Sequence, residues 1–388
     1  MKILQVVPSL AIRFGGPSVA VRELCRELAN QGEDVTIFTT DADVSGRIEV
    51  DYATPCEIGG VKIFYFPMRR MFNYKLSIPL ARALKEKLES FDIVHIHSLF
   101  QFPTTIASYY CRVYNKPYII TPHGHLDPFN FRKKPWLKNI YLNLCDLRNI
   151  NSARVIHFTS EWERRSAINK FSKVPSVVIP IGINLEDYRK LPEPGAFRDK
   201  YPLLKDKKII LFFGRIHPKK GLDILAKAFI ALSKERDDVY LVIAGPDSEN
   251  YSSKIKAWLE REGVLARTVF TGMLSGDDKL ALFKDSDVFV LSSYAENFAL
   301  AVVEAMAIGL PVVISNKVNI APEIKEARAG LVIDPDPGQL FAALKKILQY
   351  GRLQEELVNN AKGLVESRFI WEKNVRVLID LYRSITNK

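Results

Sequence analysis

The chain has 388 residues, enough for two or three domains at roughly 150 residues each, and its 47% hydrophobic and 26% charged content excludes a wholly disordered or fibrous protein. The formal charge is +11, and the excess lies toward the front: residues 1–200 carry 28 basic and 20 acidic side chains, the remainder 27 and 24. A basic surface suits polyanions, phosphorylated ligands or an anionic membrane face, and by itself selects none of them.

Residues 1–8 hold one positive charge and an apolar stretch interrupted by Gln5 and Pro8, which reads as a first strand rather than a secretion signal. A helix over 17–31 follows, with apolar spacing at Val21, Leu24 and Leu28. Strands are then predicted near 35–39, 61–66, 93–96, 118–121, 155–158 and 177–179, most of them separated by helical patterns. A Pro/Gly-rich stretch from Ile179 to Gly195 is a linker candidate. A second alternating series has strands at 208–213, 240–244, 268–270, 288–291, 311–314 and 330–333, and 339–381 is mostly helical. This βαβ alternation predicts two α/β domains, each a parallel sheet covered on both faces, facing each other across a cleft. No run of about 18 apolar residues occurs, so no transmembrane helix is expected. Cys25, Cys56, Cys111 and Cys145 form no CxxC pair and fit small core residues in a reducing cytoplasm.

After the first strand, Gly15-Gly16-Pro17-Ser18 opens a helix. Glycines at such a turn let backbone amides approach an anion, although the pattern is not GxGxxG and a plain tight turn is an equal reading. In the second half, Gly214-Arg215-Ile216-His217-Pro218-Lys219-Lys220-Gly221 follows a strand. Arg215 and Lys220 can converge there on one ligand, and a planar fork beside a compact ammonium suits a diphosphate. Glu296 and Glu304 form an E-x7-E pair. The intervening backbone from Asn297 through Phe298, Ala299 and Leu300 to Ala301 can meet phosphate or sugar hydroxyls. Glu304 lies on an otherwise apolar helix and needs a partner, such as a ligand diol.

Two His-x-His pairs, His95/His97 and His123/His125, raise the question of a metal, but no cysteine accompanies them and the set is unconvincing as a metal site. His123, at a strand end, is expected to hydrogen-bond a substrate hydroxyl as a neutral imidazole, and His95 and His125 to be structural. The Asp-x-Asp sequences at 41–43, 285–287 and 334–336 read as turns or element junctions, not metal ligands.

Taken together and in order, these motifs resemble those of the retaining nucleotide-sugar glycosyltransferases of family four (glycosyl transferases group 1), which have the GT-B fold. The resemblance runs from the Gly15-Gly16 loop through Thr121-Pro122-His123-Gly124, Pro180-Ile181-Gly182, Gly214-Arg215…Lys220-Gly221, Phe270-Thr271-Gly272 and Glu296…Glu304 to Gly309-Leu310-Pro311. It implies a first Rossmann-like, acceptor-side domain over 1–185 plus a returning C-terminal helix at 370–388, and a donor-binding domain over 195–369. Arg215 and Lys220 would bind the donor diphosphate, Glu304 its ribose and Glu296 the transferred sugar. Met273 and Leu274, following Gly272, would read the base edge, and Gly214 would complete the post-strand turn. Gly16 would approach the phosphates, and His123 the sugar near its reacting carbon. One departure stands out: the family often has Gly after the Phe, where this chain has Ala299.

The expectation is therefore a cytoplasmic retaining hexosyltransferase that uses a UDP-hexose such as UDP-glucose. It would act on a glycan or polyprenyl-diphosphate-linked acceptor in exopolysaccharide or cell-envelope synthesis, with no metal and no cofactor. The aromatic and basic segments at 68–75 and 129–136 add an expected peripheral contact with an anionic membrane. A nucleotide-sugar epimerase and a non-catalytic sugar-binding scaffold are the alternatives. Nucleic-acid binding rests on charge alone and is not expected.

Overall fold

The computed structural model describes residues 1–44, 46–69, 74–131, 135–167 and 174–386. Much of the two basic segments singled out above, at 70–73 and 132–134, lies outside the described residues. The chain divides into two compact units, Met1–Gly182 with Trp371–Lys388, and Ile183–Ile370.

The first unit holds strands β1 (Lys2–Ser9), β2 (Asp34–Thr40), β3 (Ala42–Asp43), β4 (Gly46–Arg47), β5 (Cys56–Ile58), β6 (Val61–Phe66), β7 (Ile93–His97), β8 (Tyr118–Thr121), β9 (Val155–Phe158) and β10 (Ser176–Val178). Its main sheet runs β10-β9-β8-β7-β1-β2-β6-β5, parallel throughout except where β5 returns on β6. β3 and β4 form a separate antiparallel pair. The long parallel strands are apolar on both faces, as a sheet covered on both sides requires: β1 is buried from its second residue to its last. The final helix, Trp371–Thr386, belongs to this unit. It buries Trp371, Val375, Leu378, Ile379 and Tyr382 at helical spacing and packs against the helix Gly16–Asn30.

The second unit is a six-stranded parallel sheet, ordered β13-β12-β11-β14-β15-β16. Its strands are β11 (Lys208–Phe213), β12 (Val239–Ala244), β13 (Thr268–Gly272), β14 (Val288–Leu291), β15 (Val312–Ser315) and β16 (Leu331–Ile333). The stretch that reads as a linker is largely bound to this unit. The Gly195 and Phe197 amides donate to Asp285 at 2.7 and 2.8 Å, and the Ile183 amide donates to the Phe369 carbonyl at 2.8 Å.

Both sheets are doubly wound, and each has one point where the strand order reverses: between β1 and β7 in the first unit, and between β11 and β14 in the second. Loops leaving the carboxyl ends of those strand pairs diverge to opposite faces, which opens a crevice where such folds bind ligands.

Candidate active site

In the second unit, the two loops at the reversal point are laced together by backbone and side chain. Gly221 closes the loop after β11 in a left-handed conformation (φ 69°), and a Cβ there would meet the Ser292 oxygen at 2.0 Å. Only glycine fits. Ser292 Oγ donates to the Gly221 carbonyl at 2.8 Å, and the Tyr294 amide donates to the Lys219 carbonyl at 2.9 Å. On that frame Lys220 Nζ donates to Glu296 Oε2, and both side chains are largely buried. Burial pushes the Glu296 carboxyl up, but Lys220 and the more distant Lys219 and Arg215 outweigh it, so its pKa lies below the usual carboxylate range. Glu296 is thus a fixed anion held by a cation. Arg215, in the same loop, is exposed and makes no ion pair among the described residues.

The backbone of Glu296 is also anchored. Its amide donates to the Lys317 carbonyl at 2.9 Å and its carbonyl accepts from the Asn319 amide at 3.0 Å. Phe298 is buried and meets Phe369 edge-on, 5.6 Å between ring centres. Ala299 then takes a left-handed conformation, φ 64° and ψ 64°, and Leu300–Ile308 begins as a helix with no side-chain cap. The strained alanine sits where the resembled family often has glycine, and it leaves the first helix amides without a side-chain acceptor.

Glu304 is 5% exposed on that helix. Its partners lie inside the protein: Tyr188 Oη donates at 3.0 Å and Lys279 Nζ at 2.6 Å, both to Oε1. Neither partner is signalled in the sequence, since one lies 116 residues away and the other on the neighbouring helix Gly276–Asp285. Met273 and Leu274 occupy the loop after β13, with Met273 41% exposed. Gly245, at the end of β12, explains how the three strand ends pack so closely: its amide donates to the Gly272 carbonyl at 2.7 Å, and a Cβ there would meet the Gly214 oxygen at 1.9 Å.

Gly15, Gly16 and His123 belong to the first unit, at the carboxyl ends of β1 and β8. Gly15 has φ 92° and caps the helix Gly16–Asn30, where a side chain on Gly16 would meet open space. His123 has φ 50°, unusual for a non-glycine residue. The loop is held by Glu163, a buried acid whose Oε2 accepts from the Thr159 amide and hydroxyl at 2.8 and 2.7 Å and whose Oε1 accepts from the Gly124 amide. His125 Nδ1 accepts from the Leu99 amide at 3.0 Å. His95 and His97 are buried in a wider polar cluster that also takes in His157, Gln5 and Tyr382. Alternation along β7 foretells that His95 and His97 share a face. Their other partners come from β1, β8, β9 and the C-terminal helix, and no local pattern points to them.

The Asp-x-Asp acids are spoken for by the fold: Asp285 accepts the Gly195, Phe197 and Arg198 amides, Asp287 pairs with Lys208 at 2.8 Å, Asp41 accepts the Met68 amide at 3.0 Å, and Asp336 caps the helix Pro337–Gln349. Among the described residues no group of three or more His, Cys, Asp or Glu is placed to hold a metal ion.

Two family models match the chain in succession, Glycosyltransferase Family 4 over residues 14–187 and Glycosyl transferases group 1 over 195–364. Among curated relatives, an uncharacterized glycosyltransferase of Methanocaldococcus jannaschii is 25% identical over 99% of this chain and 98% of its own length. A D-inositol 3-phosphate glycosyltransferase of Acidothermus cellulolyticus is 25% identical over 95% and 85%. Among solved structures, Anabaena HepE in complex with UDP-glucose has a TM-score of 0.78 at 17% identity, covering 99% of this chain and all of that one. The fold and the matched models define a nucleotide-sugar glycosyltransferase of the GT-B class. Within that class the chain is a glycosyltransferase of the group 1, family-4-like type.

Proposed function

We propose that the enzyme transfers a hexose from a UDP-sugar, with retention of anomeric configuration, to a glycan or lipid-linked acceptor. The observation that carries this reading is the constellation at the reversal point of the second sheet: a free guanidinium (Arg215), an ammonium (Lys220) fixed on a buried carboxylate (Glu296), and uncapped helix amides beyond Ala299. Cleaving an anomeric C–O bond sends its electron pair onto the diphosphate oxygen while the sugar takes on oxocarbenium character. Fixed cations and helix-end amides oppose that new charge without reorganising.

In this reading Arg215 and Lys220 hold the diphosphate, Gly214 lets the backbone pass close to it, and Glu296 faces the transferred sugar. Among the described residues the two hydrogen bonds to Glu304 fall on Oε1, and Oε2 is the atom proposed to accept from the ribose diol. Met273 and Leu274 meet the base edge, Gly15 and Gly16 offer amides to phosphate, and His123 meets a sugar hydroxyl. The loop of Asn297, Phe298, Ala299, Leu300 and Ala301 supplies backbone to the sugar and phosphates. The acceptor hydroxyl bonds to carbon on the face the leaving group departs from, and its proton passes to the departing phosphate oxygen. No metal and no cofactor enters this scheme. The UDP-glucose bound by Anabaena HepE, which shares the fold, supports a UDP-hexose in this proposal.

For the acceptor we propose a cell-envelope or exopolysaccharide glycan, or its polyprenyl-diphosphate carrier, met in the cytoplasm at the membrane's inner face. No helix among the described residues is long and apolar enough to cross a membrane. Support for peripheral contact comes from Trp136, Ile140 and Leu144, spaced by four along consecutive helical turns and 66%, 48% and 76% exposed, following the sequence Arg132-Lys133-Lys134. A screen of UDP-, GDP- and ADP-sugars by thermal shift, followed by proton NMR of the product's anomeric signal, tests donor and stereochemistry. Conversion of the donor without acceptor would instead favour an epimerase.

A further inference from the structure

The buried polar cluster of the first unit forms one unbroken chain of hydrogen bonds whose direction is fixed at its far end. A carbonyl oxygen only accepts, so His157 Nε2, 2.8 Å from the Ile179 oxygen, carries a proton. Burial holds the His157 pKa down to about 4, so the ring is neutral, Nδ1 is bare, and the Thr121 hydroxyl donates to it at 2.9 Å. With its one proton used, Thr121 Oγ1 accepts from His95 Nε2 at 2.7 Å. His95 is buried and its pKa lies well below the ordinary value, so its Nδ1 is bare and receives the Tyr382 hydroxyl at 2.6 Å. Tyr382 Oη then accepts from Gln5 Nε2 at 3.3 Å, which turns Gln5 Oε1 toward His97. His97 Nε2 donates to that oxygen at 2.7 Å. Its Nδ1 is bare and accepts from His123 Nε2 at 3.0 Å. The opposite polarity would leave His157 Nε2 and the Ile179 oxygen facing each other as two acceptors, at the cost of a buried unsatisfied pair. At the near end, His123 Nδ1 is buried with no hydrogen-bond partner among the described residues.

We propose that this chain is a tautomer lock: Gln5, His97 and Tyr382 are positioning residues that hold His123 as the Nε2–H imidazole, so that its bare Nδ1 accepts a hydrogen bond from a sugar hydroxyl. The lock rests on the reading of His123 as a sugar contact and adds a specificity to it, since an acceptor accommodates a hydroxyl and rejects a substituent that cannot donate. Tyr382 matters because it fixes the Gln5 amide. Without its oxygen the amide can turn over, Gln5 Nε2 can donate to His97, and every proton between there and His123 moves to the other nitrogen.

The test is long-range nitrogen–proton NMR of histidine-labelled full-length protein at neutral pH without substrate, with His123→Gln to assign the His123 signals. The parent should show His123 neutral and protonated on Nε2 alone. Tyr382→Phe should move a substantial population to Nδ1–H. If that variant does not fold, Gln5→Met, which removes the amide at similar volume, should do the same. A parent His123 that is charged or Nδ1-protonated overturns the proposal, and so does a tautomer unmoved by the folded variant. Because no donor is added, failure of the sugar-transfer reading would leave this result standing, and a failed lock would leave that reading untouched.

Discussion

Lys220 and Glu296 lie 76 residues apart in sequence and meet as an ion pair where the strand order of the second sheet reverses. The pair orients the ammonium, and the neighbouring Arg215 stays available to a ligand. Arg215→Ala should lower kcat by roughly 10²–10³ with an unchanged melting temperature, because Arg215 is exposed and makes no ion pair among the described residues. Steady-state kinetics and a thermal scan of the variant check both halves. Activity within a few-fold of the parent removes Arg215 from the site.

Lys220→Ala should behave differently from Arg215→Ala, because it also strands a mostly buried carboxylate. The Glu296 carboxyl should rise from its depressed value once its cation is gone, and the fold should lose about 1–3 kcal/mol. Adding Glu296→Gln should recover part of that stability and none of the activity. Chemical denaturation of the single and double variants gives the coupling. Full additivity would mean that the pair is not an interacting unit.

Glu304→Ala should weaken donor binding by roughly 10–100-fold, the worth of hydrogen bonds to a charged group, and change kcat less. It also leaves Lys279 without its carboxylate partner. Titrating UDP alone separates the ribose contribution from the sugar. An unchanged affinity for UDP contradicts the ribose assignment.

Ala299 occupies a left-handed conformation that costs an alanine about 1–2 kcal/mol. Ala299→Gly relieves that cost and loses part of the gain to the freer unfolded chain. The variant should therefore be more stable by roughly 0.5–1 kcal/mol, read as a higher denaturation midpoint at an unchanged slope. A lower midpoint would show that the methyl packs usefully where it lies.

The buried histidines make the first unit sensitive to acid. Burial first, then neighbouring histidines, lowers the His123 pKa to about 3, and burial lowers that of His157 to about 4 against an ordinary 6.5. The unfolded chain thus binds more protons than the folded one at mildly acidic pH. Stability should be full above pH 6.5 and fall as pH drops from there toward the folded values. Each such histidine adds up to about 1.4 kcal/mol per pH unit. Denaturation midpoints between pH 7.5 and 5 should fall in the parent and fall less steeply in a folded His157→Gln variant. A flat profile would mean that these rings are already charged in the folded state.

The main strands were legible because parallel strands buried on both faces form short apolar runs: Tyr118–Thr121 and Val288–Leu291 are buried from end to end, and Lys208–Phe213 is so at its four central residues. The antiparallel edge strand Cys56–Ile58 is exposed at every residue and has no such signature. The same contrast holds at the site. Arg215, Lys220 and Glu296 stand out by position after strands, in loops punctuated by glycine. Tyr188 and Lys279 on Glu304, Glu163 beneath the His123 loop, and the partners of His97 are tertiary juxtapositions. Side chains brought together from 25 to 116 residues apart leave no local periodicity to read. The two His-x-His pairs, unconvincing as metal ligands in the sequence, have ring nitrogens that hydrogen-bond one another, Gln5, Thr121, Tyr382 and the Leu99 amide.

In the proposed reaction the loops after β11 and β14 hold a donor diphosphate. Calorimetric titration of UDP into the parent and into Arg215→Ala tests it most directly. Saturable binding by the parent and at least a roughly tenfold weaker dissociation constant in the variant are expected. No binding by the parent, or equal affinity in the two proteins, would contradict it.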